Sequence, residues 1–71
     1  MYRVRSLFPI DHDWPETEDR IGAMAPDFPD YAGNNCGMRD LVWFVPTWDV
    51  ASRMKDQMET IPHVSVIIKE S

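Results

Sequence analysis

Residues 38–69, MRDLVWFVPTWDVASRMKDQMETIPHVSVIIK, specify most of the architecture of this 71-residue chain. Residues 38–45 include five consecutive large apolar side chains, which is typical of a strand in the middle of a covered sheet. A helical pattern follows Pro46, and residues 63–69 return to the two-residue period of a strand. A strand, a helix and a strand in this order predict a βαβ unit.

The sequence signals place the start of this helix at Thr47. Thr47 can cap the first turn with its side chain, and Asp49 suits the positive end of the helix dipole. Arg53 lies four residues after Asp49, which predicts an ion pair on the exposed side. Pro62 ends the helix at about Thr60. The apolar stripe predicted to pack on the sheet comprises Val50, Ala51, Met54, Met58 and Ile61.

The N-terminal part of the chain repeats the strand and helix pattern. Residues 2–8 alternate between two faces, and Pro9 ends this predicted strand. Asp13 is the predicted N-cap of a helix over residues 14–25, with Pro15 in its first turn. The narrow apolar stripe of this helix comprises Trp14, Ile21, Met24 and Ala25.

Between the two halves, residues 26–37 are rich in turn-forming residues. We expect a short, irregular edge strand over residues 28–32, since proline limits strand pairing and is tolerated at sheet edges. Phe28 and Tyr31 are expected to be covered by other parts of the chain. The run 33–37, GNNCG, suits a reversal with positive φ angles.

The complete order is β-α-β-β-α-β, which predicts an α+β fold of ferredoxin-like topology with a second strand that is short or irregular. Strands 2–8 and 38–45 are expected in the centre of a mostly antiparallel sheet, with both helices on one face. The other face carries Arg3, Arg5 and whichever aromatic side chains of the 38–45 strand stay uncovered. Residues 1–71 are expected to form a single domain, because so short a chain has no room for a second.

The charge of the chain is negative and unevenly placed. Seven Lys and Arg against twelve Asp and Glu give a formal net charge of −5. Residues 11–30 hold seven of these acids against Arg20 alone, so the negative charge of this segment exceeds the net negative charge of the whole chain. Nucleic acids and anionic membranes are bound by clustered cations, and the net charge therefore argues against both as partners.

The cysteine content and the N-terminus bear on location. A single cysteine excludes an internal disulfide, and a free thiol fits a reducing compartment. The first residues lack the apolar run of a signal peptide. We therefore expect a cytoplasmic protein, in a bacterium or in an infected host cell.

Few residues offer catalytic or metal-binding chemistry. The run Asp11-His12-Asp13 has side chains that suit Zn²⁺ or Mn²⁺, but adjacent side chains diverge, and a solvated loop is the favoured interpretation. Cys36 belongs to no known Cys–His pattern, so a free thiol in a turn or a small buried residue is favoured over a nucleophile. We predict no metal, no cofactor and no catalytic residue, and the residues favour a non-enzymatic function.

Two functions from different classes agree with these features. The first is a small binding or inhibitor protein whose acidic segment 11–30 docks on a basic site of a larger protein, such as a groove that receives nucleic-acid phosphates. Small acidic chains of this habit are similar in character to phage-encoded inhibitors, including anti-CRISPR and other anti-defence proteins. The second is a homo-oligomeric ligand-binding domain or small enzyme with a site between subunits, formed through strand 63–69 or the Arg3 and Arg5 face. The partner-binding residues of the first hypothesis are Asp11, Asp13, Trp14, Glu16, Glu18, Asp19, Asp27, Asp30 and Tyr31.

These features also have purely structural explanations. The acidic segment can be an ordinary solvated helix surface with its capping residues. The aromatic residues outside the strong strands can cover a thin core or serve as interface anchors; they are Trp14, Phe28, Tyr31 and Trp48. A monomer or a homodimer agrees with the first hypothesis, from which a steep salt dependence of binding follows.

Overall fold

The computed structural model describes residues 1–71 and confirms the predicted order of elements. These are β1 (Tyr2–Pro9), α1 (Trp14–Met24), β2 (Tyr31–Asn35), β3 (Met38–Val45), α2 (Trp48–Met58) and β4 (Ser65–Glu70). They include one four-stranded sheet in the order β2-β3-β1-β4, in which every neighbouring pair is antiparallel. The fold is a small α+β domain with an open sheet and the ferredoxin-like topology.

β1 lies inside the sheet, and its alternating side chains serve two surfaces. It pairs along its length with β3 on one side and with β4 on the other. Val4, Ser6 and Phe8 face the helices and are buried, whereas Arg3 and Arg5 face the opposite side. The two-residue period of the sequence therefore predicts the two faces of this strand correctly.

Both helices cover the same face of the sheet, as predicted. Thr47 caps α2, because its hydroxyl oxygen accepts a hydrogen bond from the Val50 amide at 3.3 Å. Ile21 is the buried residue of α1, and Trp14 packs half-buried beside the core. Between the layers lies one cluster of 12 buried side chains, namely Val4, Phe8, Ile21, Leu41, Trp43, Val45, Ala51, Met54, Met58, Ile61, Val64 and Val66.

The predicted limits of the second strand are wrong. β2 begins at residue 31 rather than 28, and residues 33–35, expected in the reversal, pair with β3. The turn consists of Cys36 and Gly37 alone, with φ angles of 52° and 78°. A two-residue loop with both φ angles positive is a type I′ turn, whose twist matches that of the strands it joins. That match explains why the reversal is shorter than the run of turn-forming residues.

β3 lies inside the sheet, and the helices cover only one of its two apolar faces, as predicted. Leu41, Trp43 and Val45 face the helices and belong to the core. Val42 and Phe44 face the opposite side, where Val42 is buried among neighbouring side chains and Phe44 is exposed. The two short helices cover only one side of the four-stranded sheet, so Phe44 on the other side of β3 meets solvent.

The ion pair between Lys55 and Glu59 lies against the outer edge of β4. Asp49 and Arg53, predicted to pair on α2, form no ion pair, whereas Lys55 and Glu59 do so at 3.0 Å. Lys55 Nζ donates to the Val66 carbonyl oxygen at 2.8 Å, and Glu59 Oε2 accepts from the Val66 amide at 3.2 Å. Side chains of α2 thus occupy backbone groups that another strand would need for pairing at this edge.

Candidate functional site

The acidic segment forms an exposed surface along α1 and its flanking loops. Five carboxylates lie at exposed positions here, and we call them the acidic helix surface: Asp11, Asp13, Glu16, Asp19 and Asp27. Arg20 is the one cation of residues 11–30, so this segment is strongly negative. Such a field attracts a basic partner over distance.

The N-terminal end of the acidic helix surface is built on a local turn. Asp11 Oδ1 accepts the Asp13 amide at 2.9 Å, which folds the chain back before α1 begins. Asp13 occupies the N-cap position, but its side chain makes no capping hydrogen bond, contrary to the prediction. Its carboxylate instead lies 3.4 Å from His12 Nε2. Beside this turn is a shallow groove of about 250 Å³, into which Glu16 and Arg20 also extend.

A second groove on the other side of α1 contains an exposed aromatic residue. It has a volume of about 400 Å³ and is lined in part by Asp19, Asp27 and Phe28. Trp43 forms its floor and donates from Nε1 to the Asp27 carbonyl oxygen at 3.0 Å. Phe28 is 88% exposed, the most of any large apolar side chain. An apolar side chain this exposed, next to free carboxylates, has the character of an interface anchor.

Two of the predicted partner-binding residues hold α1 against the sheet instead. Arg39 of β3 donates from Nε to Glu18 Oε1 at 2.6 Å, and its guanidinium lies 5.5 Å from the centre of the Trp14 ring. Arg39 also donates to Asn34 Oδ1 at 3.0 Å, which connects β2 to the same cluster. Glu18 therefore has its charge neutralised, and Trp14 is half-buried.

Asp30 and Tyr31 lie away from the acidic helix surface. Asp30 Oδ2 accepts the Phe44 amide at 2.8 Å, so this carboxylate binds the outer side of β3. Tyr31 pairs with Val42 and projects to the uncovered side of the sheet, where it is 57% exposed. The structure thus leaves five of the nine predicted residues exposed on α1 and its flanking loops, places Trp14 and Glu18 in the Arg39 cluster, and places Asp30 and Tyr31 at the sheet.

The uncovered side of the sheet has a composition unlike that of the helix side. The open sheet face comprises Arg3, Arg5, Tyr31, Asp40, Val42, Phe44, Ile67 and Lys69, which the strand register places on one side. It carries three cations against one carboxylate. Arg5 and Asp40 form a two-pronged ion pair, with Nε to Oδ1 at 3.0 Å and Nη2 to Oδ2 at 2.9 Å. The hydrogen bond with Asp40 raises the pKa of Arg5 above its usual value, so the guanidinium stays protonated.

Sequence reasoning missed these features for different reasons. The alternation in β1 indicated that Arg3 and Arg5 share a face, but it could not show that Asp40 and Lys69 join them from other strands. No local signal links Arg39 to Glu18, because they lie 21 positions apart and meet only in the folded chain. Phe28 was expected under cover, but the proline-bounded loop holds it outside the core.

The residues considered for metal binding or nucleophilic chemistry are dispersed. No group of three or more His, Cys, Asp and Glu side chains is arranged to hold a metal ion. Cys36 is exposed at the tip of the β2–β3 hairpin, with Sγ 3.3 Å from Asn35 Oδ1. These side chains therefore contribute no assembled reaction site.

Comparisons with known proteins provide no relative for this chain. No protein-family model matches it, and neither does any curated protein or solved structure. None of its helices combines the length and apolar character needed to span a membrane.

Proposed function

We propose that the protein is a non-enzymatic binding protein whose acidic helix surface docks on a basic site of a larger protein. Phe28 is the apolar anchor of this interaction, and Asp19 and Asp27 flank it. In character the function is similar to that of the small inhibitors with which phages block bacterial defence systems, such as anti-CRISPR proteins. The proposed partner site is one that otherwise receives nucleic-acid phosphates, in the cytoplasm of a bacterium or of an infected host cell.

The 88% exposure of Phe28 is the observation that carries this proposal. Burying an exposed phenyl ring on binding contributes roughly 1.5–3 kcal/mol, which solvated carboxylates alone do not supply. The surrounding carboxylates contribute mainly to the rate and specificity of association, because exposed charges steer a partner more than they stabilise the complex. Asp27 Oδ1 also accepts the Phe28 amide at 2.8 Å, which fixes the backbone of the anchor.

The homo-oligomeric alternative has less support. At β4 the Lys55 and Glu59 side chains already occupy the outward backbone groups of Val66. Two open sheet faces packed together would bury Arg3 and Lys69, which have no ion-pair partner within the chain. Both routes to a shared site thus begin with an unfavourable step.

Capture from the native host followed by affinity measurement tests the proposed function. A tagged chain is expressed in that host, its partners are identified by mass spectrometry, and the affinity of the purified pair is measured at several salt concentrations. Glu18 is left out of the acids to be reversed, because Arg39 holds it. The test variants are Phe28→Ser and a triple reversal to Lys at Glu16, Asp19 and Asp27.

A triple reversal to Lys at Asp49, Asp56 and Glu70 is the matched control, because these acids are exposed and form no ion pair. It changes the net charge by the same amount on another part of the molecule. We expect the test reversal to abolish binding, Phe28→Ser to weaken it about tenfold or more, and the control to retain most of it. An equal loss of affinity in both triple variants would mean that binding depends only on net charge, and it would contradict a defined docking surface. Competition by nucleic acid for the partner is the further expected result.

A further inference from the structure

The open sheet face is a surface that the proposed function leaves unused. Phe44 of β3 lies opposite Arg3 of β1, and Arg3 lies opposite Lys69 of β4, so an aromatic ring and two cations form a row across three strands. A shallow depression of about 270 Å³ lies over this face, with Arg3, Tyr31 and Phe44 in its lining. The row offers both charge and flat apolar surface to one ligand.

Two of the three cations on this face have no partner in the protein. Asp40 is fully engaged with Arg5 through two contacts of 3.0 and 2.9 Å. Asp30, at the edge of the face, is engaged by the Phe44 amide. Arg3 and Lys69 form no ion pair. The positive charge of the face is therefore concentrated at these two residues.

The position of Arg3 and Lys69 points to an anionic ligand. They are directly opposite each other in the β1–β4 pairing, an arrangement in which like charges destabilise a sheet. A bound anion would relieve this repulsion through charge-assisted hydrogen bonds to both side chains.

Tyr31 and Phe44 supply two exposed rings beside these cations. Tyr31 lies opposite Val42, two residues before Phe44, so the rings have a diagonal relationship with a Cα separation of about 7–8 Å. The Tyr31 ring lies over Gly33, and a Cβ atom at position 33 would be 2.5 Å from the phenolic oxygen of Tyr31. Glycine at this position thus permits the ring to lie along the strand with one side open to a ligand. Exposed rings next to a cationic track are the elements on which successive bases stack.

The net charge of −5 does not decide what this face binds. The excess acids lie on the helix side, and even the shortest dimension of the molecule is 17 Å. The screening length is about 10 Å at 0.1 M salt, so a ligand on the open sheet face is influenced mainly by the charges next to it. The expectation that nucleic acid is excluded treats the charge as an average over the chain, and the structure separates that charge into two sides.

We propose that the open sheet face binds single-stranded nucleic acid, with phosphate oxygens at Arg3 and Lys69 and bases stacked on Phe44 and Tyr31. A second copy packed through the same face is a poorer occupant, because its one carboxylate there, Asp40, is already engaged by Arg5 and is not free to pair with these two cations. A duplex is also poorer, because its bases are stacked internally and have no free faces for the rings. This binding goes beyond the proposed function and uses different residues.

Fluorescence anisotropy with a labelled single-stranded oligonucleotide of roughly 10 nucleotides, and with a duplex of equal length, tests this inference. At about 50 mM salt we expect saturable binding of the single strand and weaker binding of the duplex. The salt dependence should have a log–log slope of about −1.4, since each of two neutralised phosphates contributes about −0.7. We expect Phe44→Ala and Lys69→Glu each to weaken binding about tenfold.

Matched controls carry the same changes on the helix side. Phe28→Ala removes another exposed ring and Arg53→Glu reverses another exposed cation, and both should retain the wild-type affinity. The triple reversal at Glu16, Asp19 and Asp27 should also keep oligonucleotide binding, so failure of the proposed function leaves this test intact. NMR titration of the wild type provides a readout that needs no variant, because the ring protons of Phe44 and Tyr31 should shift.

Three results would overturn the inference. The first is an absence of saturable oligonucleotide binding by the wild-type chain. The second is binding during which the ring signals of Phe44 and Tyr31 do not shift. The same holds if Phe44→Ala and Lys69→Glu weaken binding no more than their controls do. The third is displacement of the oligonucleotide by an equal concentration of a polyglutamate peptide, which would identify an acidic protein segment as the occupant.

Discussion

The carboxylate of Glu59 accepts a hydrogen bond from the backbone amide of Val66 at 3.2 Å, so a helix side chain satisfies the outer edge of the sheet. Lys55, one turn earlier on α2, donates to the carbonyl oxygen of the same residue. A free strand edge invites pairing with another chain, and charged side chains are a common means of preventing it. In this protein the i,i+4 ion pair between Lys55 and Glu59 therefore binds the backbone of β4 in addition to linking two positions of its own helix.

The first prediction concerns the pH dependence of this contact. The hydrogen bond from Lys55 lowers the pKa of Glu59 below its usual 4.5, so the folded state favours the ionised carboxylate. Its stabilisation is present above the unfolded-state pKa and is lost as the pH falls through the folded-state pKa. We expect Glu59→Gln to lower the free energy of unfolding by about 0.5 kcal/mol at neutral pH, because the pair is partly exposed.

Urea unfolding of Glu59→Gln at neutral and at acidic pH measures this effect. The difference from the wild type should shrink as both proteins are acidified, since protonated Glu59 and glutamine are then alike in charge. Asp56→Asn, on the same helix but without an ion-pair partner, is the control and should show no such difference. A difference for Glu59→Gln that is constant with pH would show that the Lys55 contact has no electrostatic effect.

The second prediction is that Ser6→Ala stabilises the protein. Ser6 is fully buried under the helices, and its hydroxyl has no hydrogen-bond partner. Replacing the unpaired hydroxyl by hydrogen removes its desolvation penalty and leaves almost no cavity, so we expect a gain of about 1 kcal/mol. Thermal unfolding of the variant measures this gain, and a decrease in melting temperature would mean that the hydroxyl is hydrogen-bonded in solution.

The third prediction concerns the turn between β2 and β3. Cys36 has a φ of 52°, a conformation that a cysteine side chain disfavours and asparagine tolerates. Cys36→Asn should raise the free energy of unfolding by about 0.5 kcal/mol, whereas Gly37→Ala at φ 78° should lower it by about 1 kcal/mol. Opposite signs for the two substitutions in denaturant titrations are the result to look for. A loss of stability for Cys36→Asn would contradict the type I′ turn.

The fourth prediction distinguishes the structural acid of α1 from its exposed neighbour. Glu18→Gln removes the charged partner of Arg39 and should lower the free energy of unfolding by about 1–2 kcal/mol. Asp19→Asn alters an adjacent exposed carboxylate that makes no ion pair, and its stability should stay close to that of the wild type. Equal stability of the two variants in urea would show that the Arg39 cluster does not hold α1 to the sheet.

The sequence predicted the α2 half of the fold well because its signals are local. Thr47 at the N-cap and the apolar stripe through Met54 and Met58 depend only on residues within a few turns of one another. The ion pair of α2 could not be predicted in the same way. Spacing favours Asp49 with Arg53, but Glu59 gains an additional donor from Val66, which belongs to a strand that joins the sheet only on folding.

The candidate site was predicted in part, for a related reason. The charge count identified the acidic segment, and five of its carboxylates lie exposed on α1 and its flanking loops. The count does not register that Arg39 reaches Glu18 from β3, or that Tyr31 projects to the opposite side of the sheet. Those facts depend on how the strands pair. β2 pairs with β3 later in the chain than predicted, because the turn between them consists of Cys36 and Gly37 alone.

The place of β1 between β3 and β4 also governs how the molecule assembles. Tyr2 is opposite Val45 on one side and Glu70 on the other, and Ser71 bonds to Met1 across 70 positions of sequence. Contacts this distant along the chain slow folding, because the entropy of closing the loop is lost before they form. During synthesis residues 2–9 remain without sheet partners until β3 has emerged, and their second neighbour arrives only with the last strand. The apolar side chains of β1 therefore stay exposed while the rest of the chain is made, and β1 is the segment on which a chaperone would act first.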